Sequence, residues 1–149
     1  MIEYLIEKIT SFDYYNDRQI LFLDKDRKDW FVREKYTYRE WIDNWKNSTN
    51  VLITGLEEDQ TVFNKSQKLL PEERINSIHM FHNVNGGYSF DEHKDETNVF
   101  LYVERGKKHV HINGEIFTVS ANEGIHIPKN VPHKVDSEAD TWALSIGYD

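Results

Sequence analysis

Residues 107–119 constrain the fold of this chain more than any other stretch. Two strand-like runs, residues 107–112 and 115–119, flank the dipeptide Asn113-Gly114. Asparagine and glycine tolerate the positive φ angles of a tight two-residue turn, so this pattern predicts a β-hairpin. Further strand-like runs lie at 75–82, 99–103, 123–128 and 141–148. About six short antiparallel strands at regular spacing predict a small double-sheet barrel.

The first half of the chain has helical periodicity instead. Apolar residues at positions 2, 5, 6 and 9 predict a short amphipathic helix. Residues 37–40 form a capping-box pattern, and Tyr38, Trp41, Ile42 and Trp45 follow at helical spacing. We expect this tryptophan stripe to pack in the core rather than to form a cofactor site. Residues 19–23 and 51–54 predict strands, and a weaker helix over 62–70 ends at Pro71.

Length and composition limit the possible functions. A chain of 149 residues is long enough for one domain with one sizeable core. We therefore predict a single domain over 1–149, with residues 1–74 as helical and strand decoration and 75–149 as the barrel. The net charge of -8 disfavours nucleic acid and anionic membranes as partners. Because the chain has no cysteine and no stretch that could cross a bilayer, we expect a soluble, cytoplasmic protein.

His93, Asp95 and His133 are the candidate metal ligands. His93 and Asp95 are two residues apart, so in an extended strand their side chains point to one face. His133 follows Ile127-Pro128, where a neighbouring antiparallel strand can place it beside that pair. Two imidazoles and one carboxylate form the ligand set of non-haem Fe(II) oxygenases, because this set leaves coordination sites free for O2 and a cosubstrate.

The second half of the chain resembles the cupin superfamily. Residues 86–95 and 124–133 are similar to its two motifs, and the segments 98–103, 106–108, 122–128 and 142–148 are similar to its JmjC-type branch of 2-oxoglutarate-dependent oxygenases. The resemblance covers residues 86–148 and is faint before them. It implies a mainly β fold, a double-stranded β-helix (cupin or jelly-roll) barrel with N-terminal helices.

The same resemblance assigns roles to individual residues. It implies that His93, Asp95 and His133 are the catalytic ligands of Fe(II), and that Lys108 pairs with the distal carboxylate of the cosubstrate 2-oxoglutarate. Strand parity agrees, because Lys108 shares one face with Val110 and Ile112, whereas His109 and His111 share the other.

Several further residues are weaker candidates. Tyr102 and Ser145 are candidates for hydrogen bonds to the cosubstrate. We expect His79, His82 and His126 to be packed or surface histidines rather than catalytic ones, and of these three His126 is the best candidate to line the pocket. Cupin barrels commonly pair, and in a homodimer Trp30, Trp41 and Trp45 would cover the paired surface. Lys107 and Lys108 also fit a solvated strand edge.

Three classes of function remain open at this stage. Plain cupins usually carry a fourth ligand, a glutamate, where this chain has Val99 and Phe100, and its absence favours the oxygenase. The short interval between Asp95 and His133 instead favours a plain metal-binding cupin that acts on a small molecule without 2-oxoglutarate. The third alternative is a non-catalytic binding module. The primary substrate, a small molecule or a protein side chain, is open, and the ligand set also accepts Mn, Co, Ni or Zn.

Overall fold

Eleven strands and three helices make up the described part of the chain. The structure, a computed structural model, describes residues 1–9, 12, 15, 18–88 and 90–149. The helices are α1 (Ile2–Ile9), α2 (Tyr38–Asn47) and α3 (Gln60–Leu69), and short 3-10 turns lie at Arg33–Lys35 and Leu56–Glu58. The strands are β1 (Ile20–Asp24), β2 (Arg27–Trp30), β3 (Asn50–Ile53), β4 (Ile75–Asn83), β5 (Gly87–Tyr88), β6 (Asn98–Arg105), β7 (Lys107–Ile112), β8 (Glu115–Ser120), β9 (Gly124–Ile127), β10 (His133–Ser137) and β11 (Thr141–Tyr148).

The strands form two antiparallel sheets. The larger sheet has the order β2-β1-β3-β4-β11-β6-β9, and the smaller has the order β5-β10-β7-β8. Side chains of both sheets meet between them in one cluster that includes Val103, Val110 and Ala143. This arrangement is the predicted jelly-roll barrel with N-terminal helices. Residues 1–74 contribute more than decoration, because β1, β2 and β3 extend the larger sheet by three strands.

The hairpin that dominates the sequence is confirmed. Strands β7 and β8 pair in register, with Ile112 opposite Glu115. Asn113 and Gly114 both have positive φ, 51° and 78°, as a type I′ turn requires. The sequence did not predict β2, β5 and β10, which are short or carry charged residues at alternate positions.

The larger sheet is covered on both faces, which differs from the single predicted core. On the outer face, Ile78, Met80 and Leu144 pack against helix residues such as Trp41 and Val62. On the inner face, the barrel cluster of β6, β7, β8, β9 and β11 fills part of the space between the sheets. Alternate residues of the central strands therefore face two separate apolar clusters.

Helix α2 begins where the capping box predicts. The Thr37 hydroxyl accepts a hydrogen bond from Glu40 N at 3.1 Å, and Thr37 N donates to the Glu40 carboxylate at 3.1 Å. Trp41 and Trp45 are buried, as predicted for the stripe. Trp41 and Trp45 are therefore not available to cover a dimer surface. Of the three tryptophans considered for this role, only Trp30 is exposed, at 38%. In the part of the chain that the structure describes, no helix has the length and apolar character needed to span a membrane.

Candidate metal centre

His93 and His133 face each other across an antiparallel bridge. The amide of His93 donates to the carbonyl of His133 at 3.0 Å, and the amide of His133 donates to the carbonyl of His93 at 2.8 Å. Directly opposed residues of an antiparallel pair place their side chains on the same face. His133 is the first residue of β10. The short segment around His93 and this unpredicted strand therefore bring two imidazoles together.

Asp95 completes the cluster from outside a strand. The prediction that His93 and Asp95 lie on one extended strand is wrong, because Asp95 lies in irregular backbone after the bridge. Its carbonyl accepts a hydrogen bond from Asn130 N at 2.8 Å, which fixes this segment beside the turn that precedes β10. The carboxylate nevertheless reaches both histidines.

The three side chains are close enough to share one divalent ion. One ligand atom from each lies within 4.8 Å of the other two. The Asp95 carboxylate oxygens are 3.7 Å from His93 Nε2 and 3.3 Å from His133 Nε2. Ligand atoms about 2.1 Å from an ion and at right angles are about 3 Å apart, so only a small closure is needed. The donor set therefore fits a metal, and three protein ligands leave an open coordination side.

The backbone sets the orientation of both imidazoles. His93 Nδ1 lies 2.9 Å from the carbonyl of Asp91, and His133 Nδ1 lies 3.0 Å from the carbonyl of Val131. A carbonyl only accepts hydrogen bonds, so each Nδ1 carries the proton and donates it. The Nε2 atoms then point toward Asp95, the orientation in which they could bind a metal, and this arrangement is typical of histidine ligands.

Asp95 and His133 also interact electrostatically without a metal. Their hydrogen bond holds the pKa of Asp95 below its ordinary value and raises the pKa of His133 above its ordinary value. The Asp95 carboxylate therefore favours a proton on His133 Nε2, the same atom that would bind a metal. Metal and proton compete for this position.

A cavity of about 520 Å³ opens beside the three ligands, between the two sheets. His133 is buried, whereas the side chains of His93 and Asp95 are 40% and 37% exposed. Most of the wall is apolar, and such walls limit the access of water. The apolar lining residues are Leu52, Phe81, Phe90, Val99, Leu101, Ile127 and Val135.

Lys108 lines the same cavity and is 2% exposed. Its Nζ donates to Asn83 Oδ1 at 2.9 Å and to Ser137 Oγ at 3.0 Å, both neutral oxygens. Burial lowers the pKa of Lys108 from 10.5 to about 7, although the nearby Asp136 carboxylate opposes this effect. Within residues 18–88 and 90–149, no carboxylate forms an ion pair with this ammonium group. The alternative of a solvated strand edge is therefore wrong for Lys108.

The other predicted site residues have different positions. Ser145 lines the cavity, whereas the structure does not bring Tyr102 to it. Tyr102 lies on the outer face of β6, where its ring contacts Phe100 and lies under the ammonium of Lys65. The neighbouring Leu101 occupies the inner face, since side chains of a strand alternate. His109 and His111 point away from the cavity, as parity predicts, and contact Thr118 and Asp136.

Among the remaining histidines, His79 lines the cavity and His126 does not. The prediction for His126 is wrong because this exposed residue faces outward and its Nδ1 contacts the Tyr148 hydroxyl at 2.7 Å. Burial lowers the pKa of His79, against the opposing effect of the Glu57 and Asp95 carboxylates. The sequence signal for this position is strand alternation: Ile78 and Met80 face the outer cluster, so His79 between them faces the cavity.

Comparison with known protein families gives one match, which lies in the second half of the chain. Residues 80–146 match the family model described as the cupin domain, a segment that includes His93, Asp95, Lys108 and His133. The barrel half of the chain is therefore similar to a cupin domain. No curated protein matches the chain in sequence.

Solved structures share the fold at low sequence identity. YcfD, a ribosomal oxygenase from Escherichia coli in complex with cobalt and 2-oxoglutarate, is 12% identical, with a TM-score of 0.70. The same oxygenase in complex with cobalt and succinic acid is 14% identical, with a TM-score of 0.68. These comparisons cover 100% of this chain but 44% and 43% of YcfD, so the chain spans less than half of that oxygenase. A cupin superfamily protein from Desulfitobacterium hafniense is 13% identical over 50% of this chain and 67% of its own, with a TM-score of 0.46.

Proposed function

We propose that this chain is an Fe(II)- and 2-oxoglutarate-dependent oxygenase of the JmjC type. The observation that carries the proposal is a buried lysine, Lys108, which forms no ion pair with a described carboxylate and lies in the same cavity as an open three-ligand centre. A ligand with two anionic groups could bind the metal with one group and Lys108 with the other. The fold that this chain shares with YcfD, which was solved with cobalt and 2-oxoglutarate, supports this choice.

Each residue has a defined task in the proposed reaction. His93, Asp95 and His133 hold the metal, and the carbonyls of Asp91 and Val131 keep the two imidazoles oriented toward it. Bound Fe(II) would supply O2 activation, so that one oxygen atom hydroxylates a substrate C–H bond and the other enters succinate as 2-oxoglutarate loses CO2.

The cavity residues hold the cosubstrate in place. Lys108 binds the carboxylate far from the metal, with Asn83 and Ser137 fixing its Nζ. Ser145 offers a hydroxyl to the cosubstrate from the opposite sheet. The apolar wall excludes water from the reacting atoms.

A second candidate is a metal-dependent cupin that acts on a small molecule without 2-oxoglutarate. The match of residues 80–146 to the general cupin domain favours it. It needs the same three ligands but assigns no cosubstrate to Lys108. The identity of the anion at Lys108 therefore separates the two candidates.

Anaerobic addition of Fe(II) and then 2-oxoglutarate to the purified protein tests the proposal. We expect a charge-transfer absorption band that requires both additions, because the cosubstrate must bind the metal directly. Fe(II) binding without the band would support the second candidate, and the absence of Fe(II) binding would support a non-catalytic module.

Variants assign the roles within this assay. We expect His93→Ala and Asp95→Ala to abolish 2-oxoglutarate turnover, and retained turnover would refute these ligands. Lys108→Ala should weaken 2-oxoglutarate binding at least tenfold while Fe(II) still binds. His109→Ala is the matched control, because its side chain lies on the outer face of the small sheet and should leave both affinities unchanged.

A further inference from the structure

His79 on β4 has a polar atom that the fold leaves unpaired. Its Nδ1 is buried and has no hydrogen-bond partner among the described residues. The carboxylate of Glu57, on the turn beside β4, already accepts a hydrogen bond from the amide of Ile78 at 3.0 Å. A polar group in such a position is costly for the fold and therefore marks a candidate functional residue.

The strand register places His79 in the wall of the metal cavity. Ser145 on β11 lies directly opposite His79 on one side and opposite Leu101 of β6 on the other, and all three line the cavity. Asn83, which holds Lys108, lies four residues further along the same face of β4. His79 and Ser145 thus form a polar pair in a wall that is otherwise mostly apolar.

The tautomer of His79 follows from its surroundings. A buried N–H without an acceptor is rarer in proteins than a buried lone pair without a donor. The neutral ring therefore keeps its proton on Nε2. His79 is only partly buried, and its Nδ1 is buried. The Nε2 edge is therefore the part of the ring that can donate a hydrogen bond to a ligand in the cavity.

We infer that His79 is a ligand-positioning residue, which donates a hydrogen bond from Nε2 to an oxygen of the anion bound at the metal centre. The inference rests on the proposed function for the metal at His93, Asp95 and His133, but it applies to any oxygen anion bound there. His79 is not a metal ligand, since the cluster of potential ligands contains only those three side chains within the described residues.

Oxalate binding to the cobalt-loaded protein tests this role. The protein is loaded with Co(II), oxalate is titrated by visible absorption, and Co(II) affinity is measured separately by competition with a chelator. We expect His79→Leu to weaken oxalate at least tenfold and to change Co(II) affinity less than twofold. His79→Gln, which retains a side-chain donor, should stay within threefold of the wild type for oxalate.

His126→Leu is the matched control, because this histidine lies on the same sheet but faces outward. We expect it to bind oxalate and Co(II) as the wild type does. Wild-type oxalate affinity in His79→Leu would overturn the inference. A parallel loss of Co(II) would also overturn it, because His79 would then act as a ligand.

A second measurement needs no variant and covers the case in which His79→Leu does not fold. In wild-type protein loaded with Zn(II), oxalate should shift the ring nitrogen signals of His79 and leave those of His126 unchanged. Unshifted His79 signals would refute the hydrogen bond. Repeating the titration with 2-oxoglutarate separates the two hypotheses: if oxalate binding depends on His79 but 2-oxoglutarate does not bind, the proposed function fails and this inference stands.

Discussion

Replacing Lys108 with methionine should change both the stability of the protein and its pH dependence. The pKa of Lys108 falls from 10.5 in an ordinary environment to about 7 in the fold because of burial. Each tenfold change in proton affinity is about 1.4 kcal/mol, so this difference corresponds to about 5 kcal/mol. Burial of Lys108 therefore destabilises the fold, and an apolar side chain would be expected at this position if it served packing alone.

The sign of the pH effect follows from the proton count. Between pH 7 and 10.5 the unfolded chain keeps the proton on Lys108, whereas the folded protein has lost it. The free energy of unfolding of the wild type therefore rises with pH over this window, by about 1.4 kcal/mol per pH unit once Lys108 is neutral in the fold. Lys108→Met lacks this contribution.

Methionine also removes the hydrogen bonds that Lys108 Nζ donates to Asn83 Oδ1 and Ser137 Oγ, at a cost of about 1–3 kcal/mol for each lost bond. We therefore expect Lys108→Met to be more stable than the wild type by only about 1 kcal/mol at pH 7. This difference should fall by about 2 kcal/mol between pH 7 and pH 9, so that the variant becomes the less stable protein.

Urea unfolding at pH 7, 8 and 9, followed by tryptophan fluorescence, measures this difference. Lys107→Met is the matched control, because Lys107 is the adjacent lysine on the opposite face of β7. Parallel pH profiles of wild type and Lys108→Met would refute the reasoning, since they would show that Lys108 keeps its proton in the fold.

Three further predictions concern other parts of the molecule. Burial lowers the pKa of His82, whose Nδ1 accepts a hydrogen bond from Trp45 Nε1 at 2.9 Å, so the free energy of unfolding should fall as the pH is lowered below 6.5. In urea unfolding, His82→Gln should lack this pH dependence, and equal pH dependence in the variant and the wild type would contradict the prediction. Gly106→Ala should destabilise by about 3 kcal/mol, because φ is +92° and the new Cβ would lie 2.3 Å from Thr141 Oγ1; a loss below about 1 kcal/mol would contradict this. Co(II) affinity should fall about tenfold per pH unit below the raised pKa of His133, because a proton replaces the metal at Nε2. A chelator competition from pH 5 to 8 that showed constant affinity would contradict this last prediction.

Local signals predicted the regular elements well. The Asn113-Gly114 turn and the capping box at Thr37 need only neighbouring residues, and the structure confirms both. Strand β10 was missed because its five residues include only one aliphatic side chain, Val135. Its stability comes from pairing with β5 and β7, which no local pattern reveals.

The candidate site was predictable as a ligand set but not as a geometry. The structure brings His93, Asp95 and His133 together, yet Asp95 arrives through a loop held by Asn130 rather than along a strand. The candidate Tyr102 lies outside the cavity for a different reason. Both faces of β6 are apolar, so strand alternation alone does not indicate which residues face the cavity.

The two-sided cover of the large sheet determines how much of the chain is needed for stability. Residues 80–146 match a known domain, but the outer face of their central strands is sealed by the helices near the N-terminus. A fragment that began at residue 75 would present Met80, Trp142 and Leu144 to water, and such a patch drives aggregation. The barrel half and the helical half therefore form one cooperative unit, and deletion of α1 or α2, whose residues do not line the metal cavity, should still impair it.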